Sequence, residues 1–380
     1  MIGLALRMLF GERAKYLLLL SGIASATVMM VLGMALWYGI QRLSSATADN
    51  IRSPIWVTDP MLQQVGDSQP LRATEVDRVR SVAGVRWAAP LYLGGAQVRL
   101  LEQGVSRTVL LVGLDATTLL GAPTRIVEGS LDDLRLPDAV FIDERGAAFL
   151  SADPQQPLKR GDSFEMNDRR AVIVGICRTD LTFFGGNAYI FSTFDRAVGY
   201  AASQRKMVTH ILAVPEAGRE AAEVARAIHD ATGLQAFTED GIKQATWDWM
   251  LETNVAPFVI SIIVVVGFVV GTLITGQAFY SFVLENSRYF GALRAMGAET
   301  RALAGMILAQ AAFVGVVGFG LGAGLIGAAL WLAPEGRSPA LILWQVPVSV
   351  FAAITGICLF AALLGLWRVV KLEPAVVFRG

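Results

Sequence analysis

The chain has 380 residues, of which 54% are hydrophobic and 17% charged, with 32 basic and 32 acidic side chains and a mean hydropathy of +0.52. That is too apolar for an ordinary water-soluble protein of this length, so a bilayer supplies part of its solvent. Zero net charge and a pair of cysteines exclude a globally basic nucleic-acid binder and a disulfide scaffold.

In chain order, Ile2, Leu6, Leu9 and Phe10 alternate with Arg7, Glu12 and Arg13, so residues 1–15 read as a short amphipathic helix lying on the inner membrane surface. Residues 16–41 form the first uncharged window. Ala24-Ser25-Ala26 imitates a signal cleavage site, but the apolar run continues to Ile40, well beyond the roughly 7 to 15 residues of a signal core, so the segment reads as a retained anchor.

The region 42–254 is polar enough to fold in water and carries 22 basic against 27 acidic residues. Its start alternates as a strand (55–57), a helix (74–83) capped by Thr74 with Asp77 three residues on and ended by Gly84, and a strand (85–92). The same order returns late, as a strand (210–214), a helix (217–232) ended by Gly233, and a strand (234–237). Two such strand-helix-strand units suit a ferredoxin-like sheet. Between them the pattern is mostly strands, at 97–101, 108–112, 139–142, 163–166, 171–176 and 188–191, read as an inserted β-rich subdomain.

Three further uncharged windows follow, at 255–284, 302–334 and 338–367, each longer than the roughly 20 residues needed to cross hydrocarbon. The fold class is therefore a helical membrane protein with four transmembrane helices and a large α+β extracytoplasmic domain. Arg7, Arg13 and Lys15, then Arg288, Arg294 and Arg301, then Arg368, Lys371 and Arg379 flank one side of the spans, whereas the link between the last two offers only Arg337. The positive-inside rule puts both termini, the link 285–301 and the tail 368–380 in the cytosol.

The sequence holds no evident catalytic constellation. His210 and His229, the only histidines, have no metal-ligand neighbour at zinc or iron spacing and read as strand and helix surface residues. No lysine follows a glycine, so a phosphate-cradling loop is missing, and Cys177 and Cys358 are too far apart in depth to pair. The glycines of the third span read as helix-packing sites, with Gly318 and Gly322 on one face and Gly320 and Gly324 on another. The spans contain no Asp, Glu, Lys, Arg or His, which argues against an ion-driven carrier.

Within the link, Phe290, Leu293 and Met296 share a helical face edged by Arg288 and Arg294. The segment Arg288-Tyr289-Phe290-Gly291-Ala292-Leu293-Arg294-Ala295-Met296-Gly297-Ala298 resembles the one preceding the third span of FtsX-like, or MacB-type, permeases of ABC systems. So do the one-plus-three span layout, the stretch Phe183-Phe184-Gly185-Gly186 and the ending Leu372-Glu373-Pro374. The start close to the first span is most similar to DevC-like permeases, which lack a fused ATPase.

That resemblance implies a bacterial inner-membrane homodimer that binds no cofactor itself. ATP and Mg would be held by a separate dimeric cytosolic ATPase on which Arg288, Phe290, Leu293, Arg294 and Met296 form a coupling helix. It implies porter-like segments at 42–115 and 208–250 and a sabre-like one at 116–207, with Phe183, Phe184, Gly185 and Gly186 toward a periplasmic membrane-fusion adaptor and a TolC-like outer-membrane channel. Membrane lipid surrounds the spans and no nucleic acid is involved. Export by mechanotransmission through a tripartite complex is the activity implied; the alternative is an FtsX-like signalling protein that activates a cell-wall hydrolase.

Overall fold

A computed structural model gives the protein's fold and describes residues 3, 13–67, 69–100, 105–153, 155–180, 188–201, 208–332 and 340–370. Most of the amphipathic N-terminal segment, residues 183–186 and the tail after 370 lie outside the described residues. The chain divides into two units, one made of Met1–Ile40 with Val255–Gly380 and the other of Gln41–Asn254.

Helix α1 (Arg13–Asn50) is one of four helices among the described residues that are long and apolar enough to cross a bilayer. It overruns its expected end at 41 because its last turns are buried with partners of their own: Ala48 in an apolar core, Thr47 on the Tyr189 hydroxyl and Asn50 on the Asp180 backbone. Strand β1 (Ile55–Thr58), α2 (Ala73–Arg80) and β2 (Val85–Leu100) follow, then β3 (Val105–Leu114), β4 (Ile126–Glu128), a 3-10 turn (Leu131–Arg135) and β5 (Ala139–Asp143). Next come α3 (Glu144–Phe149), β6 (Ser163–Met166), β7 (Arg169–Cys177), β8 (Tyr189–Thr193) and α4 (Phe194–Tyr200). Then β9 (His210–Pro215), α5 (Ala221–Thr232), β10 (Gln235–Thr238) and α6 (Glu239–Thr253) complete the outer unit.

The sheet order is β10-β1-β9-β2-β3-β8-β5-β7-β4, with β6 joining β2 to β7. Its first four strands have the ferredoxin-like arrangement, in which each outer or inner position is filled by the antiparallel neighbour the two strand-helix-strand units require. Alternation sets the two faces. Ile55, Val57, Ile211 and Ala213 meet Val76, Val79, Val224 and Ile228 of the two helices, whereas Trp56 and Leu212 point the other way, onto Ala48, Ile51 and Ile242. Each fully buried aliphatic side chain on these faces contributes about 2 kcal/mol.

Several local expectations need correction. The strands expected at 85–92 and 97–101 are one strand, because the residues between them, Gly94 and Gly95 included, stay in the ladder opposite Leu111 and Leu110. Thr74 is not a cap: helix α2 starts after Arg72, which has extended backbone. Asp143 and Thr238 are caps instead, each accepting an N–H, from Gly146 and Gly241 respectively, at 3.1 Å. Gly233 ends α5 in the left-handed region, at φ +73°.

In the membrane unit, α7 (Val255–Glu285), the short α8 (Ser287–Ala295), α9 (Thr300–Leu332) and α10 (Gln345–Val370) follow. The last helix begins later than expected, which puts Pro347 in its first turn, where a missing N–H costs no hydrogen bond. Helix α1 packs against both α7 and α9 through small residues. A Cβ at Gly271 would overlap Ala26, and one at Gly267 would stand 2.8 Å from the Met29 Cβ. On α9, a Cβ at Gly318 would lie 2.6 Å from Ile23 Cγ2, and one at Gly322 would lie 2.7 Å from the Ala24 carbonyl oxygen. Gly320 and Gly324 meet nothing within 4 Å, so that second glycine face makes no packing contact among the described residues.

Candidate functional site

The link between the second and third spans folds as α8 after a single-residue break at Asn286, whose carbonyl accepts the N–H groups of Tyr289 and Phe290 at 3.0 and 3.1 Å. Its C-terminus is a Schellman turn. Gly297 takes φ +92°, its N–H donates to Arg294 O at 3.0 Å, and the Ala298 N–H donates to Leu293 O at 3.0 Å. Glycine suits that left-handed position because a Cβ there would be strained.

The turn fixes which side chains face outward. Phe290 is 1% exposed and sits in the membrane unit's core with Leu303, Met306 and Ile307, and Leu293 and Ala298 pack against the same core. Phe290 is therefore not a surface knob, a correction with a simple cause: an amphipathic face can bury against its own spans as readily as against a partner. Among the described side chains, Tyr289 and Met296, at 63% and 76% exposed, are large ones that remain outward, seven residues apart on one side of the helix. Met296 is exposed, Leu293 is half-buried, Arg294 lies in the last helical turn, and the side chain of Arg288 lies outside the described residues, as do Phe183, Phe184, Gly185 and Gly186.

In the outer unit, Asp180 gathers the end of α1. Its carboxylate lies 3.3 Å from Arg42 and 3.2 Å from Arg125, while its backbone exchanges hydrogen bonds with the Asn50 side chain at 2.8 and 2.9 Å. Burial works against its charge, but the two guanidiniums hold its carboxyl below the usual range. Asp143 is deeply buried, and desolvation raises its pKa even though it accepts bonds from Tyr189 N–H, Thr179 Oγ1 and Gly146 N–H. These are architectural contacts joining β5, β8 and α3.

No reactive grouping appears around them among the described residues. His210 is fully buried rather than on a strand surface, its Nδ1 3.0 Å from Thr209 Oγ1, and His229 Nδ1 lies 2.8 Å from Leu234 O. The Cys177 thiol is buried and its pKa pushed far up by desolvation, the state of an inert thiol. A shallow groove between α2 and α5 has Arg78 on its wall, already committed to Glu75 at 2.7 Å and Thr232 O at 3.0 Å. No metal-binding group of three or more His, Cys, Asp or Glu occurs among the described residues.

What sequence reasoning missed is a set of contacts between segments distant in the chain. Lys243 lies 2.7 Å from Asp49 and 2.8 Å from Glu239. The Glu239-to-Lys243 spacing is readable as a helical ion pair; the Asp49 partner is not.

Residues 17–231 match the MacB-like periplasmic core domain, and residues 261–374 match the FtsX-like permease C-terminal domain. An uncharacterized ABC transporter permease of Mycobacterium tuberculosis is 27% identical over 325 residues, covering 82% of this chain and 80% of that one. An ABC transporter permease of Mycobacterium bovis is 32% identical over 140 residues, 36% of this chain and 38% of that one. Among solved structures, the periplasmic region of MacB from Actinobacillus actinomycetemcomitans aligns over 54% of this chain and 94% of its own, at 14% identity and TM-score 0.38. The extracellular domain of the ABC-type transporter YknZ from Gram-positive bacteria aligns over 49% and 99%, at 12% identity and TM-score 0.34.

Proposed function

The chain belongs to the MacB-type, FtsX-like family of ABC transporter permeases, and from that premise we propose that it transmits motion from a cytosolic ATPase to its extracytoplasmic domain. The observation that carries the reading is the geometry of α8. Phe290 anchors the helix to the spans, so a push on its outer side reaches the membrane core instead of being lost in a loose loop. Tyr289 and Met296 supply the apolar contacts on that outer side, with Arg294 in the last turn.

The spans support the same reading. Without a single Asp, Glu, Lys, Arg or His they offer no proton or ion relay, so the energy comes from a nucleotide-hydrolysing partner. The link and both termini lie in the cytosol of a bacterial inner membrane, by the distribution of arginine and lysine. The permease works as a pair of copies with two ATPase subunits, and the outer domain drives cargo through an adaptor and an outer-membrane channel.

Co-purification tests the dock. Met296→Asp is the informative variant, because Met296 is exposed and its replacement leaves the core intact, whereas changes at Phe290 or Leu293 would disturb packing. The expected result is loss of the ATPase from the purified permease with unchanged membrane insertion and thermal midpoint. Full retention of the ATPase in Met296→Asp combined with Tyr289→Asp would remove α8 from the interface.

A further inference from the structure

The outer unit joins the spans through two segments, the end of α1 and the end of α6, with unit boundaries after residues 40 and 254. Lys243, one turn into α6, reaches Asp49 Oδ1 on α1 at 2.7 Å and Glu239 Oε1 on its own helix at 2.8 Å. Its side chain is only 22% exposed. Burial disfavours its charge, but the hydrogen bonds to the two carboxylates outweigh that and raise its pKa, so it is an ammonium at neutral pH.

Other contacts hold both segments nearby. Thr246 Oγ1 accepts the Val65 N–H at 3.1 Å and donates to Ile242 O at 2.8 Å, and Trp249 Nε1 donates to Gln63 Oε1 at 3.0 Å. Ile242, Val65, Ala48 and Ile51 share one core. On a different side of α1, Asn50 is locked to Asp180 through both its amide atoms. A helix end gripped at one point can pivot; one gripped from two sides and by a core cannot turn without breaking several contacts together.

We propose that Lys243 is a positioning residue that welds the ends of α1 and α6 into one rigid foot, so the outer unit moves as a single body with the two segments that carry it. The alternative, a change of angle between those segments during the cycle, would require Lys243 to leave Asp49. This inference rests on the motion-transmitting reading above and adds where the motion does not bend. Removing the ammonium leaves Asp49 and Glu239 on neighbouring helices without the cation between them, and an acid at 243 makes a third negative charge there.

Spin labels at Gln41→Cys and Glu252→Cys, both exposed positions, measure the separation of the two segments in the full chain, the native thiols being buried. The expected result is one narrow distance distribution that shifts by less than about 2 Å when the ATPase and ATP are added. Lys243→Asp should broaden it with a thermal midpoint lowered by no more than about 3 °C, and Asp49→Lys combined with Lys243→Asp should narrow it again. A wild-type distance that changes on ATP binding, or a distribution that stays narrow in Lys243→Asp, overturns the proposal. The arm without ATPase decides the weld alone, so failure of the ATPase to bind counts only against the dock on α8.

Discussion

The two units are held together by opposite means. The outer unit buries large side chains on both faces of a sheet, Trp56, Phe141, Tyr189 and Phe191 in one core and Tyr92, Ile142 and Ile190 in another, and ties distant segments with ion pairs such as Asp180 with Arg42 and Arg125. The membrane unit brings helices together by removing side chains, at Gly267 and Gly271 on α7 and at Gly318 and Gly322 on α9. The difference follows from the solvent. Water drives large apolar groups inward, whereas lipid is as apolar as leucine and rewards only close backbone approach.

That contrast can be broken most severely at Gly322. A leucine there meets the Ala24 carbonyl oxygen, which has no rotamer to move away, and Gly322→Leu should cost more than about 3 kcal/mol and separate α9 from α1. Gly324→Leu, two residues on, on the opposite side of the helix and facing open space, should change stability by less than about 0.5 kcal/mol. Thermal midpoints of the two variants in the same detergent check this. Equal losses would mean that the glycines are tolerated by lipid rather than needed for packing.

A smaller effect sharpens the outer unit. His210 is fully buried, and desolvation lowers its pKa from the ordinary 6.5 to about 4. As pH falls below 6.5 the unfolded chain takes up a proton that the folded one refuses, so its stabilising effect is complete above 6.5 and is lost progressively toward pH 4. The loss is about 3 kcal/mol over that window. The thermal midpoint of the wild type should fall over that interval, and His210→Leu should lack that part of the slope. Identical profiles would place a compensating charge beside the ring.

The legible parts of the sequence were those set by period and length. Four uncharged windows match the thickness of a bilayer, and the two strand-helix-strand patterns that suited a ferredoxin-like sheet fold into one, in the order β10-β1-β9-β2. Helix α6 escaped notice because Trp247, Trp249 and Leu251 blur its apolar period, although Thr238 with Gly241 caps it. The long β2 was read as two short strands because Gly94 and Gly95 interrupt its run of β-forming side chains. At the candidate site, the amphipathic face of α8 was readable but its partner was not: Phe290 and Met296 carry the same hydrophobic signal, and only three-dimensional packing separates the anchor from the exposed side chain. The Asp49 partner of Lys243 lies on another helix far along the chain and left no local trace.

The most direct measurement uses Met296→Cys in membranes of defined orientation, probed with an impermeant maleimide. The account predicts labelling from the cytosolic face of the permease alone, and protection by about tenfold or more when the ATPase is bound. Labelling from the opposite face, or equal labelling with and without a bound ATPase, would contradict the claim that α8 receives the motion.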